Sequence, residues 1–187
     1  MRIKICGLRS ATDARLVARE GVEFAGLNFV ESSRRSISLS QAEVLIPWLG
    51  SVIPVGVFQD QDLAQVLSAA QRLGLRWIQL HGAESPAYCE ALLGQGYRVV
   101  KASPDPQFEV TARLLDGPEP GSGAVWRWVR PTASGEFWLA GGLCAQNVGE
   151  AIARTRPDLV DVASGVEHEG VINELRVRQF VRAVRGE

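Results

Sequence analysis

Two short apolar runs end on groups able to move protons: Arg2-Ile3-Lys4-Ile5 delivers Cys6 and Gly7, and Leu114-Leu115 delivers Asp116. A thiol and a carboxyl so placed offer one potential base and one potential acid from distant parts of the chain. An ordinary thiol, with a pKa of about 8.5, is only a few per cent thiolate near neutral pH, so a catalytic Cys6 needs a lowered pKa or a partner base. Its alternative is a small core residue, because cysteine is among the most buried residue types. Asp116, just before a glycine-rich stretch, reads either as a functional acid or as a turn former or helix cap. Gly141-Gly142 and Ser164-Gly165 follow two further apolar runs, and small residues there let backbone N–H groups approach an anion such as phosphate. Arg35, in Ser32-Ser33-Arg34-Arg35, carries a guanidinium fork that matches a carboxylate, or is a solvated loop residue. His81 reads as a hydrogen-bonded core histidine or a substrate contact. Asp161 interrupts an apolar strand and needs a hydrogen-bond partner either way.

The elements that must position these groups alternate along the chain. Strands are expected at 2–7, 24–29, 52–58, 77–81, 97–102, up to Asp116, at 137–140 and at 159–163. Between them the apolar spacing predicts helices at 11–20, from a Ser40/Glu43 cap to Leu49, at 62–73, from Ser85-Pro86 onward, at 147–154 and at 174–185. Only residues 103–113 separate the fifth strand from Leu114-Leu115, so a full helix barely fits there. Eight runs too apolar to be half exposed, alternating with helices, indicate a parallel sheet covered by helices. Eight strands close a (β/α)8 TIM barrel, here a compact one with shortened helices around strands five to seven; an open doubly wound sheet is the alternative. In a barrel the chemistry sits at the C-terminal strand ends, which here present Cys6, Phe29, Phe58, His81, Ala102, Asp116, Gly141-Gly142 and Ser164-Gly165, and phosphate is bound after the last two strands.

At 187 residues the chain suits a single domain over 1–187 that can bury a core without disulfides or metal. Lys and Arg total 20 against 21 Asp and Glu, with no basic stripe, which argues against nucleic acid as a partner. Three cysteines at unrelated spacings suggest neither a disulfide framework nor a zinc knuckle. No apolar run approaches the roughly 20 residues of a membrane helix, and no leader pattern is present, so a cytoplasmic, unexported protein is expected.

Taken together, these residues resemble the phosphoribosylanthranilate isomerase family of tryptophan biosynthesis. The resemblance rests on Lys4-Ile5-Cys6-Gly7, Gly26 to Phe29 with Ser33 and Arg35, Val55 to Phe58, Gln79-Leu80-His81-Gly82 with Glu84, and Val100-Lys101-Ala102. It continues through Leu114-Leu115-Asp116, Gly121-Ser122-Gly123, Leu139 to Leu143 with Asn147-Val148, and Val160-Asp161-Val162 into Ser164 to Glu167. It implies a ketol-isomerase, an intramolecular oxidoreductase catalysing the Amadori rearrangement of N-(5-phosphoribosyl)anthranilate to 1-(2-carboxyphenylamino)-1-deoxyribulose 5-phosphate. By the same resemblance Asp116 is the acid that opens the furanose, Cys6 the base that takes the C2 proton, and Arg35 the holder of the anthranilate carboxylate. Gly141, Gly142, Ser164 and Gly165 hold the phosphate, and His81 and Asp161 lie near the sugar. No cofactor or metal is implied, and the partner is a small molecule met by a monomer or homodimer.

The chain departs from the family pattern at 124–128, where Arg127 stands in place of an acidic residue, at Ala145 for proline and Ala163 for serine, and at 171–173, which lack the usual lysine and aspartate. A non-catalytic phosphate-ligand binder and another sugar-phosphate isomerase or epimerase on the same barrel are the competing functions.

Overall fold

The computed structural model describes residues 1–103, 105, 107–116, 130 and 135–187. Eight parallel strands close into a ring: β1 (Arg2–Cys6), β2 (Phe24–Asn28), β3 (Ile53–Phe58), β4 (Trp77–Leu80), β5 (Arg98–Lys101), β6 (Ala112–Leu115), β7 (Glu136–Leu139) and β8 (Leu159–Val162). The seam is the β1/β8 pairing, in which Lys4 faces Asp161 across the ladder. This is the (β/α)8 barrel rather than the open sheet. The short antiparallel pair β9 (Glu167–His168) and β10 (Val171–Ile172) follows β8.

The helices form where capping and apolar spacing agree. In α1 (Ala11–Arg19) Ser10 and Asp13 make the expected reciprocal capping box. In α3 (Leu63–Leu73) the buried Val66, Ala69, Ala70 and Leu73 repeat at helical spacing, and Gly74 ends the helix at φ 63°, a left-handed conformation that glycine adopts without a Cβ clash. Ser85 and Pro86 open α4 (Pro86–Gly94), Asn147 precedes α5 (Val148–Thr155), and Asn173 caps α6 (Glu174–Arg185).

The second helix differs from expectation: α2 is Leu39–Leu45, capped by Ser38 with Gln41, and it passes into a 3-10 turn over Ile46–Trp48. Pro47 has no N–H to continue the α-helical ladder, which shortens the element, and Ser38 reaches the amide three residues on just as Ser40 would. Glu43, expected in the cap, instead pairs with Arg72 of α3. None of the described residues between β5 and β6 is helical. The stretch 117–129, with its expected loop at 117–123, and the departure at 124–128 lie outside the described residues. No helix among the described residues is long and apolar enough to cross a membrane.

Alternation with period two sorts the strand residues onto two faces. Ile3, Ile5, Ala25, Leu27, Ile78, Leu80, Val160 and Val162 point outward and pack beneath the helices. Phe24, Val55, Trp77, Val100, Ala112, Leu114, Trp138 and Leu159 point inward and plug the lower barrel. There the Phe24 ring meets Trp77 edge-on at 5.2 Å, and Trp77 stacks on Trp138 at 5.4 Å. Each such ring adds about 1.5–3 kcal/mol of burial and fills the lower barrel. Phe29 and Phe58, expected at the mouth, instead stack on each other at 5.2 Å in the outer layer, because their positions fall on the outward phase of β2 and β3.

Candidate active site

Above the aromatic floor the inward positions turn polar. A cavity of about 290 Å³ opens at the C-terminal ends of the strands, lined by Cys6 of β1, Gln79 and His81 from β4, Asp116 after β6, Gly141 and Gly142 after β7, and Asp161 and Ser164 of β8 and its loop. Arg35 reaches the same cavity from the loop after β2. The structure thus brings together every candidate named from the sequence except Gly165. That glycine lies against Leu143, where an added Cβ would sit 1.9 Å from the carbonyl oxygen, and it lines a separate cavity with Arg176. Its smallness lets the two loops touch.

Cys6 owes its place to its neighbour. A Cβ on Gly26 of β2 would lie 2.5 Å from the sulfur, so only glycine leaves that space. Below Cys6 on the same face, Lys4 is fully buried and donates to Asp161 Oδ2 at 2.7 Å. This answers the need for a partner that Asp161 posed. Burial pushes the Cys6 thiol up, while the Lys4 charge is the strongest influence drawing it down.

Arg35 forms the expected two-point clamp, but on a carboxylate of its own chain. Its Nε and Nη2 donate to Glu167 Oε1 and Oε2 at 2.6 and 2.9 Å, and Arg34 donates to the same carboxylate at 2.5 Å. Burial alone would raise Glu167, yet the Arg35 and Arg34 guanidiniums outweigh it and hold the group below the usual carboxylate range. Of these three groups Arg35 lines the cavity, and it gives that wall a positive charge.

At the edge of the cavity formed after β7, Gly141 and Gly142 have φ of 86° and 64°, conformations that glycine allows. Asn147 fixes the turn, accepting from the Cys144 amide at 2.8 Å and donating to the Gly142 carbonyl at 2.9 Å. Among the described residues, no backbone carbonyl takes up the amides of Gly141, Gly142 or Ser164. Such a set of small-residue amides suits an anion.

His81 is pulled down to about 4, first by burial and then by the Lys4 and Lys101 charges. Its ring is neutral at physiological pH and can accept or donate a hydrogen bond. By NMR its ring protons should hold constant shifts from about pH 8 to about pH 5.5, titrating only as pH approaches 4; a midpoint near the ordinary 6.5 would show a hydrated ring instead. The unfolded chain takes up that proton near 6.5, so the native state loses stability as pH falls from there toward 4.

Four participants escaped sequence reading. Lys4 and Gln79 share the inward face with Cys6 and His81 by strict alternation, a signal present in the sequence once the strand ends are fixed. Glu167 acts through Arg35, 132 positions away, and Lys101 through Glu84, 17 positions away across β4 and β5, so each pairing is set by the fold. Among the described residues no cluster of His, Cys, Asp and Glu could hold a metal ion.

Comparison with known proteins adds an independent line. Residues 3–183 match the family model described as N-(5'phosphoribosyl)anthranilate (PRA) isomerase. A curated relative from Geobacter sulfurreducens, named N-(5'-phosphoribosyl)anthranilate isomerase, is 37% identical over 204 residues, covering 100% of this chain and 99% of its own. The crystal structure of phosphoribosyl anthranilate isomerase from Thermus thermophilus superposes with a TM-score of 0.92 at 36% identity, covering 100% of this chain and 99% of that one. Another solved structure, of the isomerase in complex with reduced 1-(o-carboxyphenylamino)-1-deoxyribulose 5-phosphate, has a TM-score of 0.83 at 28% identity, with 100% of both chains covered.

Proposed function

The chain belongs to the N-(5'-phosphoribosyl)anthranilate isomerase family, and from that membership we propose that it catalyses the Amadori rearrangement of phosphoribosylanthranilate in tryptophan biosynthesis. The observation that carries the assignment of roles is that Cys6 of β1 and Asp116 after β6 line one cavity, with Gly141, Gly142 and Ser164 at its edge. Its volume, near the lower bound of about 300 Å³ for small-molecule sites, suits one phosphorylated pentose adduct.

Asp116 gives a proton to the furanose ring oxygen, the C1–O bond breaks, and the anilinic nitrogen supplies the electrons that make the C1=N iminium. The iminium withdraws electrons from C2–H, so a modest base suffices. Cys6 takes that proton, and the C–H electron pair becomes the C1=C2 bond of the enolamine, which tautomerises to the ketone. The amides of Gly141, Gly142 and Ser164 hold the phosphate and fix C2 near the sulfur. Neutral His81 supplies a hydrogen bond to the sugar without adding charge. The protein acts in the cytoplasm on this small molecule, as monomer or homodimer.

Turnover of freshly made phosphoribosylanthranilate, followed as loss of its fluorescence, tests the reading. Wild type should consume the substrate catalytically; tight binding without consumption would make the chain a phosphate-ligand binder. The cationic wall around Arg35 selects an aromatic acid. Arg35→Ala should raise KM about 10- to 100-fold, the loss of a charged hydrogen bond worth about 1.5–3 kcal/mol, and should leave binding of a carboxylate-free analogue unchanged. Equal losses for both ligands would point to another sugar phosphate.

A further inference from the structure

A buried ion pair costs several kcal/mol per ion in desolvation, and well-packed apolar residues are often the more stable filling. Lys4 and Asp161 nonetheless occupy the centre of the barrel at the β1/β8 seam, 0 % and 6 % exposed. Lys4 donates to Asp161 Oδ2; Oδ1 is buried, has no hydrogen-bond partner among the described residues, and belongs to a residue lining the cavity. Cys6 stands two residues above Lys4 on the same inward face of β1, in the space Gly26 leaves open.

We propose that Lys4 is a positioning residue for proton abstraction by Cys6: a buried ammonium that holds one negative charge, carried on either Asp161 or the Cys6 sulfur. The proposal rests on the assignment of Cys6 as the base. With the charge on Asp161 the thiol is protonated. When the S–H proton passes to Asp161 Oδ1, the S–H bond breaks, the O–H bond forms, and the sulfur keeps the electron pair. The three groups sum to the same net charge before and after, so no new charge is created in the low-dielectric barrel. The thiolate then removes the C2 proton and becomes a thiol again. Asp161 is left with a surplus proton, equal to the one Asp116 gave the ring oxygen, and exchange with solvent resets both acids.

The surroundings agree with such an exchange. Burial pushes both Cys6 and Asp161 up, and in each case Lys4 is the foremost opposing influence. Burial alone would discharge Lys4, but Asp161 and Cys6 together hold it above its ordinary value. Among the described residues the cluster is also faced by Arg35 from the β2 loop, which draws both acids down, and by His81 after β4, which stays neutral; Asp116 after β6 lines the same cavity.

Alkylation of Cys6 by iodoacetamide against pH tests this without substrate, with peptide mass spectrometry separating Cys6 from Cys89 and Cys144. Asp161→Asn forces the charge onto sulfur, so its midpoint should fall below wild type. Lys4→Met, and Lys4→Met combined with Asp161→Asn, should each titrate about one pH unit or more above the corresponding chain that keeps Lys4. Lys4→Arg should restore the midpoint. In turnover, Lys4→Met should lower kcat about tenfold or more with KM nearly unchanged, the mark of a group acting through the base. Should Lys4→Met fail to fold because Asp161 is left alone, the double variant removes both charges and gives the reading. Equal midpoints in Asp161→Asn and the double variant would overturn the proposal. A wild type that titrates as described yet does not consume phosphoribosylanthranilate would overturn the assigned activity instead.

Discussion

Asp116→Asn is expected to lower kcat about 10²–10⁴-fold, with Cys6→Ser losing a comparable amount, because each removes one positioned proton donor or acceptor. Asparagine keeps the shape of the carboxyl but has no acidic proton for the ring oxygen. Serine keeps the size of the thiol, yet its hydroxyl is far too weak an acid to form the required base. Both side chains stand partly exposed at the open cavity rather than in the packed layers, so thermal midpoints should move little. The two variants fail at different steps. Asp116→Asn stalls before ring opening and Cys6→Ser after it, so rapid quenching should trap the open Schiff base only in the latter. Combining them should cost little more than the worse single change, since successive steps on one path do not add. Full activity in both would refute the assigned roles.

The second large effect is on stability. Glu84 is 7 % exposed and accepts hydrogen bonds from Lys101 Nζ at 2.7 Å, from the Asp60 amide at 3.0 Å and from the Gly82 amide at 3.0 Å. It thereby ties the ends of β3, β4 and β5 together just beside His81. Glu84→Ala leaves Lys101, 2 % exposed, as an unpaired buried cation, at a cost of about 3–5 kcal/mol. At about 2–4 °C per kcal/mol for a chain of this size, the melting midpoint should fall by roughly 10 °C. Lys101→Met in the same background should recover much of that loss, because the methionine stem fills the same space without a charge. A thermal scan of the three chains checks both statements, and a Glu84→Ala midpoint within about 2 °C of wild type would show that water reaches Lys101.

What the sequence alone determined is the order of elements and which residues stand at the ends of the strands. Strand periodicity, the caps at Ser10, Ser85 and Asn173, and the glycine stop at Gly74 are local physics, each settled by residues within a few positions. The strand ends follow from them, and with the strand ends come Cys6, His81, Asp116 and the glycine pairs. At α2, Ser38 and Ser40 offer the same local chemistry; the cap forms at Ser38, where Gln41 completes the box, and Glu43 is left to pair with Arg72 of α3. For Phe29 and Phe58 a single residue of strand phase turns the side chain from the mouth to the outer layer.

Tertiary structure decided the partnerships: Lys4 with Asp161, Arg35 and Arg34 with Glu167, Lys101 with Glu84. The first two join residues more than a hundred positions apart, and the barrel's closure alone brings them within 3 Å. A buried charge is tolerable only where an opposite one meets it, and that meeting is a property of the closed ring rather than of any stretch of chain. The sequence therefore sets which groups reach the mouth of the barrel, while the fold sets the field around them.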